Sequence, residues 1–169
     1  NGRDVAAGVV DSPGASAGAT VVPLGETVVV GEFAVVAGND QPTWATAISA
    51  STNMTLNEAL KYDVTTGAAV DIYLAGVAGA TYAAGYTKGV QVTGTTAAKN
   101  MVVGQLLAFG TTTGTRHTYT VIEVLASTST TTTVLLDRPL DTAVTSGDLA
   151  FPGPAGDFNV AFNRNAFAL

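Results

Sequence analysis

Short runs of β-branched and apolar residues, each ended within a few positions by glycine, asparagine or threonine, constrain this chain more than any other feature. They span 19–24, 27–37, 68–75, 85–93, 105–111, 115–125, 131–136 and 148–151. Runs this short at near-regular intervals are the pattern of an all-β sandwich or barrel. Arg116 to Val124 alternates most clearly, with Thr118, Thr120, Ile122 and Val124 on one side and His117, Tyr119, Val121 and Glu123 on the other. Threonine dominates the polar positions; its β-branch favours extended backbone and its hydroxyl keeps an outer face wet. The tract Thr130 to Thr133 reads either as a strand start or as a hairpin tip.

Two departures from strand grammar are expected. Thr55-Leu56-Asn57-Glu58 has capping-box spacing and predicts one short helix near 55–62. Residues 1–18, rich in Gly, Ala, Ser and Asp around Asp11-Ser12-Pro13-Gly14, read as an extended N-terminal arm. The β-rich domain is then 19–169, divisible into subdomains 19–75 and 85–169, with a hairpin turning near Gly25 or at Gly31.

Composition narrows the function classes. The chain has 169 residues, no cysteine and a net charge of -6. Stability must come from packing and backbone pairing, without disulfides or thiolate metal sites. Seven scattered Lys and Arg form no basic stripe to neutralise phosphates, so no specific nucleic-acid binding is expected. No stretch approaches the ~20 apolar residues of a membrane helix, and the longest candidate is broken by Gly31 and Glu32. The first 25 residues lack the charged start and apolar run of a signal peptide, and an Asn at position 1 predicts cleavage or a boundary within something longer.

A search for chemistry finds no defensible catalytic, cofactor or metal residues. The only histidine, His117, lies on an expected strand with no nucleophile motif beside it, and reads as an ordinary sheet residue. Gly110 to Arg116 lacks the spacing and lysine of a phosphate loop and reads as a hairpin turn. The carboxylate pairs Asp63/Asp71 and Asp137/Asp141 have neither calcium-loop spacing nor a dense acidic cluster around them. Asn53-Met54-Thr55 fits a glycosylation sequon, a pattern short enough to arise by chance. Trp44 and the five tyrosines suit core and interface packing better than a sugar-stacking face.

The informative segment is Asp157 to Leu169, D-F-N-V-A-F-N-R-N-A-F-A-L. Phe158, Val160 and Phe162 fall on one face of an extended chain, and Phe167 and Leu169 follow Arg164. These six residues are the candidate assembly and packing residues, and the segment expects burial. A weaker echo links Gly31-Glu32-Phe33-Ala34, Gly104-Gln105-Leu106 and Gly147-Asp148-Leu149-Ala150-Phe151. Its irregular spacing reads as shared strand grammar and not as a solenoid repeat.

From Gly104-Gln105-Leu106-Leu107-Ala108-Phe109 through Thr133-Val134-Leu135-Leu136-Asp137-Arg138-Pro139-Leu140 and Ser146-Gly147-Asp148-Leu149 to Asn159-Val160-Ala161-Phe162-Asn163-Arg164-Asn165-Ala166-Phe167-Ala168-Leu169, the chain resembles the C-terminal β-rich part of tailed-bacteriophage major capsid proteins. The similarity is to the P22-like coat proteins of the HK97-fold class, whose closing run has the form N-L-A-F-H-[KR]-[DN]-A-F-A-L; here Asn163 stands at the histidine. It spans about 85–169. The resemblance implies a non-enzymatic virion structural protein in an icosahedral capsid, whose partners are copies of itself and other capsid subunits, with no cofactor and no membrane. An associated capsid decoration protein is the alternative, and a cell-surface adhesin or carbohydrate-binding β-sandwich the second alternative.

Overall fold

The computed structural model describes residues 5–49, 53–94, 100–112 and 114–155. They form twelve strands: β1 (Val5–Val9), β2 (Val21–Pro23), β3 (Phe33–Val36), β4 (Asn39–Ser49), β5 (Asn53–Leu56), β6 (Ala69–Tyr73), β7 (Gly76–Ala78), β8 (Val90–Thr93), β9 (Gln105–Phe109), β10 (His117–Ser127), β11 (Thr131–Leu136) and β12 (Leu149–Ala155). The fold is all-β, with no helix among the described residues.

Two expectations are corrected. There is no helix near 55–62: Thr55 and Leu56 close strand β5, where Met54 and Leu56 alternate into the core. Leu56 N–H donates to Thr20 O at 2.8 Å, and Asn57 folds back, its side-chain oxygen accepting from Trp44 N–H at 2.8 Å. Cross-strand burial outweighs a capping box with no apolar helical face behind it. The N-terminal arm is likewise absent from the described part of 1–18. β1 pairs along its length with β6, Val10 is fully buried, and Ala15 forms a bridge with Val64.

The first six strands form a sheet in the order β1-β6-β3-β4-β5-β2, and the last six a closed barrel in the order β10-β11-β8-β7-β12-β9. Taken in chain sequence, these are one topology used twice. β7 to β12 stand to each other as β1 to β6 do, and the barrel closes where β7 pairs with β8. In the first unit the same closure is reduced to a bridge between Val10 and Leu24, with Asp11 N–H on Pro23 O at 2.9 Å, so that sheet is a half-barrel tied at its seam.

The duplication extends to individual hydrogen bonds. Gly18 N–H donates to Leu60 O and Gly85 N–H to Leu140 O, at 2.8 and 2.7 Å. The Ala15–Val64 bridge is matched by Tyr82–Val144. Trp44 N–H donates to the Asn57 side chain at 2.8 Å, and Thr120 N–H to Asp137 at 2.9 Å. These contacts align 56–70 with 136–150 without a gap. Leu56/Leu136, Leu60/Leu140, Val64/Val144, Thr65/Thr145 and Gly67/Gly147 are identical between the copies. All three aliphatic pairs are buried.

Each unit encloses its own core, one built on Val22, Met54, Leu60, Val70 and Ile72, the other on Val92, Leu107, Tyr119, Val134 and Leu140. The strict alternation expected of β10 fails after Val121. Ile122 and Leu125 are each inserted as bulge residues against β11, so Val124 turns inward and Glu123 outward. The two apolar bulge residues are left half exposed.

Candidate functional site at the junction of the two units

β6 and β7 are separated by Leu74 and Ala75 alone, so the second unit is delivered directly onto the first. The units meet through equivalent strands. Phe33 on β3, Trp44 on β4 and Tyr73 on β6 pack with Ala108 on β9 and Phe151 on β12 in a third, separate apolar cluster. Phe151 lies directly over Gly31, where any Cβ would enter its ring, and Gly31 takes φ = 104°, a conformation that suits glycine.

Arg116 closes this junction. The β9–β10 hairpin turns through Thr112, whose carbonyl accepts Arg116 N–H at 2.8 Å, and the side chain crosses to the first unit. Its guanidinium stands 4.2 Å from the Trp44 ring centre, 4.5 Å from Phe33 and 5.3 Å from Phe151. Nη1 donates to Gly31 O at 2.8 Å, while Nε and Nη2 are buried without a hydrogen-bond partner among the described residues. Burial pushes its pKa down to about 10, leaving it cationic at neutral pH. The charge is held by ring faces and carbonyl dipoles, an arrangement that suits a planar guanidinium better than an ammonium.

Glu32 secures the same seam. It is 3% exposed, and its carboxylate accepts from Val29 N–H at 2.9 Å and from Ala75 N–H, in the link, at 2.7 Å. Burial is the larger influence and raises its pKa, the two N–H donors opposing it. Its equivalent, Gln105, is also 3% exposed; its oxygen accepts from Val102 N–H at 2.7 Å and its amide donates to Gly153 O at 2.9 Å. The Gly31-Glu32 and Gly104-Gln105 echo is therefore one structural turn in two copies. Gly147-Asp148 belongs to a different turn, whose partner is Gly67-Ala68.

A second polar cluster lies on the surface of the barrel. Asp141 Oδ2 receives Arg138 Nη2 at 3.0 Å, His117 Nδ1 at 3.2 Å and Tyr119 O–H at 3.4 Å. Arg138 also stacks 4.3 Å from the Tyr119 ring centre. The hydrogen bond from Arg138 holds the Asp141 carboxyl below the usual carboxylate range, and burial raises the Tyr119 phenol. With three donors on one oxygen, Asp141 ties three side chains together and is poorly placed to act as a base. Nearby, an open hollow of about 330 Å³ is lined by Phe109, Gly110, Thr115, Thr142, Asp148 and Leu149 among others. Asp148 is engaged by Thr145 N–H at 2.8 Å, so the hollow presents chiefly hydroxyl and backbone groups.

The expected assembly residues Phe158, Val160, Phe162, Arg164, Phe167 and Leu169 lie outside the described residues. Asp137 and Asp141 flank Arg138, and Asp137 accepts from Thr120 N–H. Asp63 instead accepts from Ala17 N–H at 2.8 Å, while Asp71 is an exposed β6 residue. Among the described residues no group of three His, Cys, Asp or Glu is placed to hold a metal. Gly110 to Arg116 is the hairpin connection between β9 and β10. Sequence reasoning overlooked Arg116 and Glu32. The usable signal was Glu32 and Gln105, each a polar residue between a valine-rich run and a strand, at matching positions.

No family model, no curated protein and no solved structure matches this chain.

Proposed function

We propose that this chain is a bacteriophage virion structural protein forming part of a capsid shell, as a major capsid protein or a portion of one. The observation that carries the reading is the closing run Asn159 to Leu169, which resembles the end of P22-like coat proteins. The physical character of the molecule is compatible with it. Buried polar groups such as Glu32, Gln105 and Arg116 serve backbone turns and a domain junction, as a packing protein requires. Its partners on this reading are copies of itself and other capsid subunits, and its place is the virion.

A capsid decoration protein is the second reading. It is favoured by the organisation of all the described strands into two small units of one topology, a compact tandem suited to sitting on a lattice. Electron microscopy of the native particle separates the two. Density for these units continuous with a shell subunit supports the coat protein, and density confined to the outside of a complete shell supports decoration. Deleting Asn163 to Leu169 is expected to abolish incorporation into particles. Particles that incorporate the truncated chain at wild-type levels would overturn the role given to the closing run.

A further inference from the structure

Glu32 and Gln105 occupy the same place in the two units and are bonded differently. Each commits one side-chain oxygen to its own turn: Glu32 Oε2 accepts from Val29 N–H at 2.9 Å, and Gln105 Oε1 from Val102 N–H at 2.7 Å. The second terminal atom is used in opposite senses. Glu32 Oε1 accepts from Ala75 N–H at 2.7 Å, in the link between the units, whereas Gln105 Nε2 donates to Gly153 O at 2.9 Å on β12. Carrying the gapless pairing of 56–70 with 136–150 along β6 and β12 makes Tyr73 the equivalent of Gly153. The neutral amide holds its own strand, and the carboxylate holds the link.

A carboxylate accepts at both oxygens, but a protonated carboxyl offers one carbonyl oxygen and one O–H donor, the pattern of a primary amide. The Val29 bond lies within the turn and is backed by Glu32 N–H on Val29 O at 3.0 Å, so protonation gives up the link bond. We infer that Glu32 is a proton-operated latch on the link: ionised, it holds Ala75 N–H, and neutral, it takes the bonding pattern of Gln105, donating to Tyr73 O and releasing Ala75. Ala75 packs against the junction cluster, so the release loosens the point where the second unit is joined to the first. Other titratable groups stand apart from the carboxyl. β6 brings Tyr73 and the exposed Asp71, and the β9–β10 hairpin brings Arg116, which is bonded to Gly31 O. Glu26 turns to Gly8, and Asp40 lies at the far end of β4 from Ala45, whose N–H meets Glu32 O at 2.9 Å. β9 and β12 carry no titratable side chain. Burial raises the Glu32 carboxyl above 4.5, which brings the change into milder acid than an exposed carboxyl would require. This inference does not depend on the capsid reading.

NMR of the isotope-labelled full chain across pH tests it. The Glu32 carboxyl and the Ala75 amide proton are expected to titrate together, at one midpoint above 4.5, with the amide moving upfield on acidification. Protection of Ala75 N–H from solvent exchange, corrected for intrinsic pH dependence, should fall about tenfold across that midpoint, the scale of one charge-assisted hydrogen bond. The Val29 and Val102 amides should keep their protection. In Glu32→Gln, Ala75 should sit at its acid-limit position at every pH. Should that variant fail to fold, Asp71→Asn, which removes the other carboxylate of β6, is expected to leave the shared midpoint in place. An Ala75 amide that ignores the Glu32 titration, follows a different midpoint, or still titrates in Glu32→Gln overturns the inference. Loss of protection at Val29 in place of Ala75 overturns it as well, as does a Glu32 carboxyl that stays ionised until the chain unfolds.

Discussion

Arg116 shows how one residue can carry a tertiary decision. A cation buried without a carboxylate partner is ordinarily a liability, because desolvation is not repaid by an opposite charge. Here the repayment comes from the faces of Trp44 and Phe33 and from the Gly31 carbonyl, all on the other unit. Arg116→Ala is therefore expected to cost about 2 kcal/mol in urea unfolding, the scale of a desolvated cation–π contact with its charged hydrogen bond. Arg116→Lys should recover less than half of that, because an ammonium cannot stack flat while donating to the carbonyl. Trp44 is the only tryptophan, so its emission reports the junction in the same titration. A lysine variant as stable as the parent would show that only a point charge is needed.

At the scale of elements, the glycine turn and its following polar residue recur in both units, and the two copies differ in one chemically useful respect. Glu32 titrates and Gln105 does not. Burial raises the Glu32 carboxyl above its ordinary 4.5, so between that value and its folded one the folded chain keeps a proton that the unfolded chain has released. The associated stability is present below the unfolded value and is lost as pH rises through the folded one. Wild-type stability should therefore fall relative to Glu32→Gln as pH rises from the ordinary carboxyl value of 4.5 through the raised folded one, measured by urea unfolding at several pH values. Parallel pH profiles for the two proteins would show that Glu32 does not titrate differently on folding. Much of the element content was legible in the sequence: β11 matches the expected 131–136 run, its first three residues threonines that begin the strand, with Thr128 and Thr130 in the hairpin tip. β4 was not, since it opens on the turn-like pair Asn39-Asp40 and contains Pro42, and β5 read as a helix because a capping box is local whereas its pairing with β2 is not. The expected run 27–37 supplies only β3, which pairs with β4 and β6 and not with β2. The duplication was faint because identity survives mainly where a turn or a core dictates the residue, as at Gly67/Gly147 and Leu60/Leu140, while exposed positions such as Lys61/Asp141, Tyr62/Thr142 and Asp63/Ala143 differ.

For the molecule as a whole, two units with separate cores joined by a two-residue link unfold together only if their shared interface is strong enough. That interface uses β3 and β6 from one unit and their equivalents β9 and β12 from the other, the manner in which two copies of a single barrel would pair. Its tightest point is Phe151 on Gly31, and the duplication supplies a control for it. Gly31 and Gly104 both hold positive φ, 104° and 90°, so an alanine at either position incurs left-handed strain of about 1 to 2 kcal/mol. Only at Gly31 does the added methyl also collide with a described side chain. Gly31→Ala should thus cost about 1 to 3 kcal/mol more than Gly104→Ala, the range for forcing extra volume into a packed site. It should also shift Trp44 emission to longer wavelength and split thermal unfolding into two transitions as the units lose their coupling. Gly104→Ala should leave the Trp44 spectrum and the single transition intact. Equal losses with unchanged emission in both variants would mean that Phe151 yields easily, and that the two units are held together mainly by Arg116 and the link.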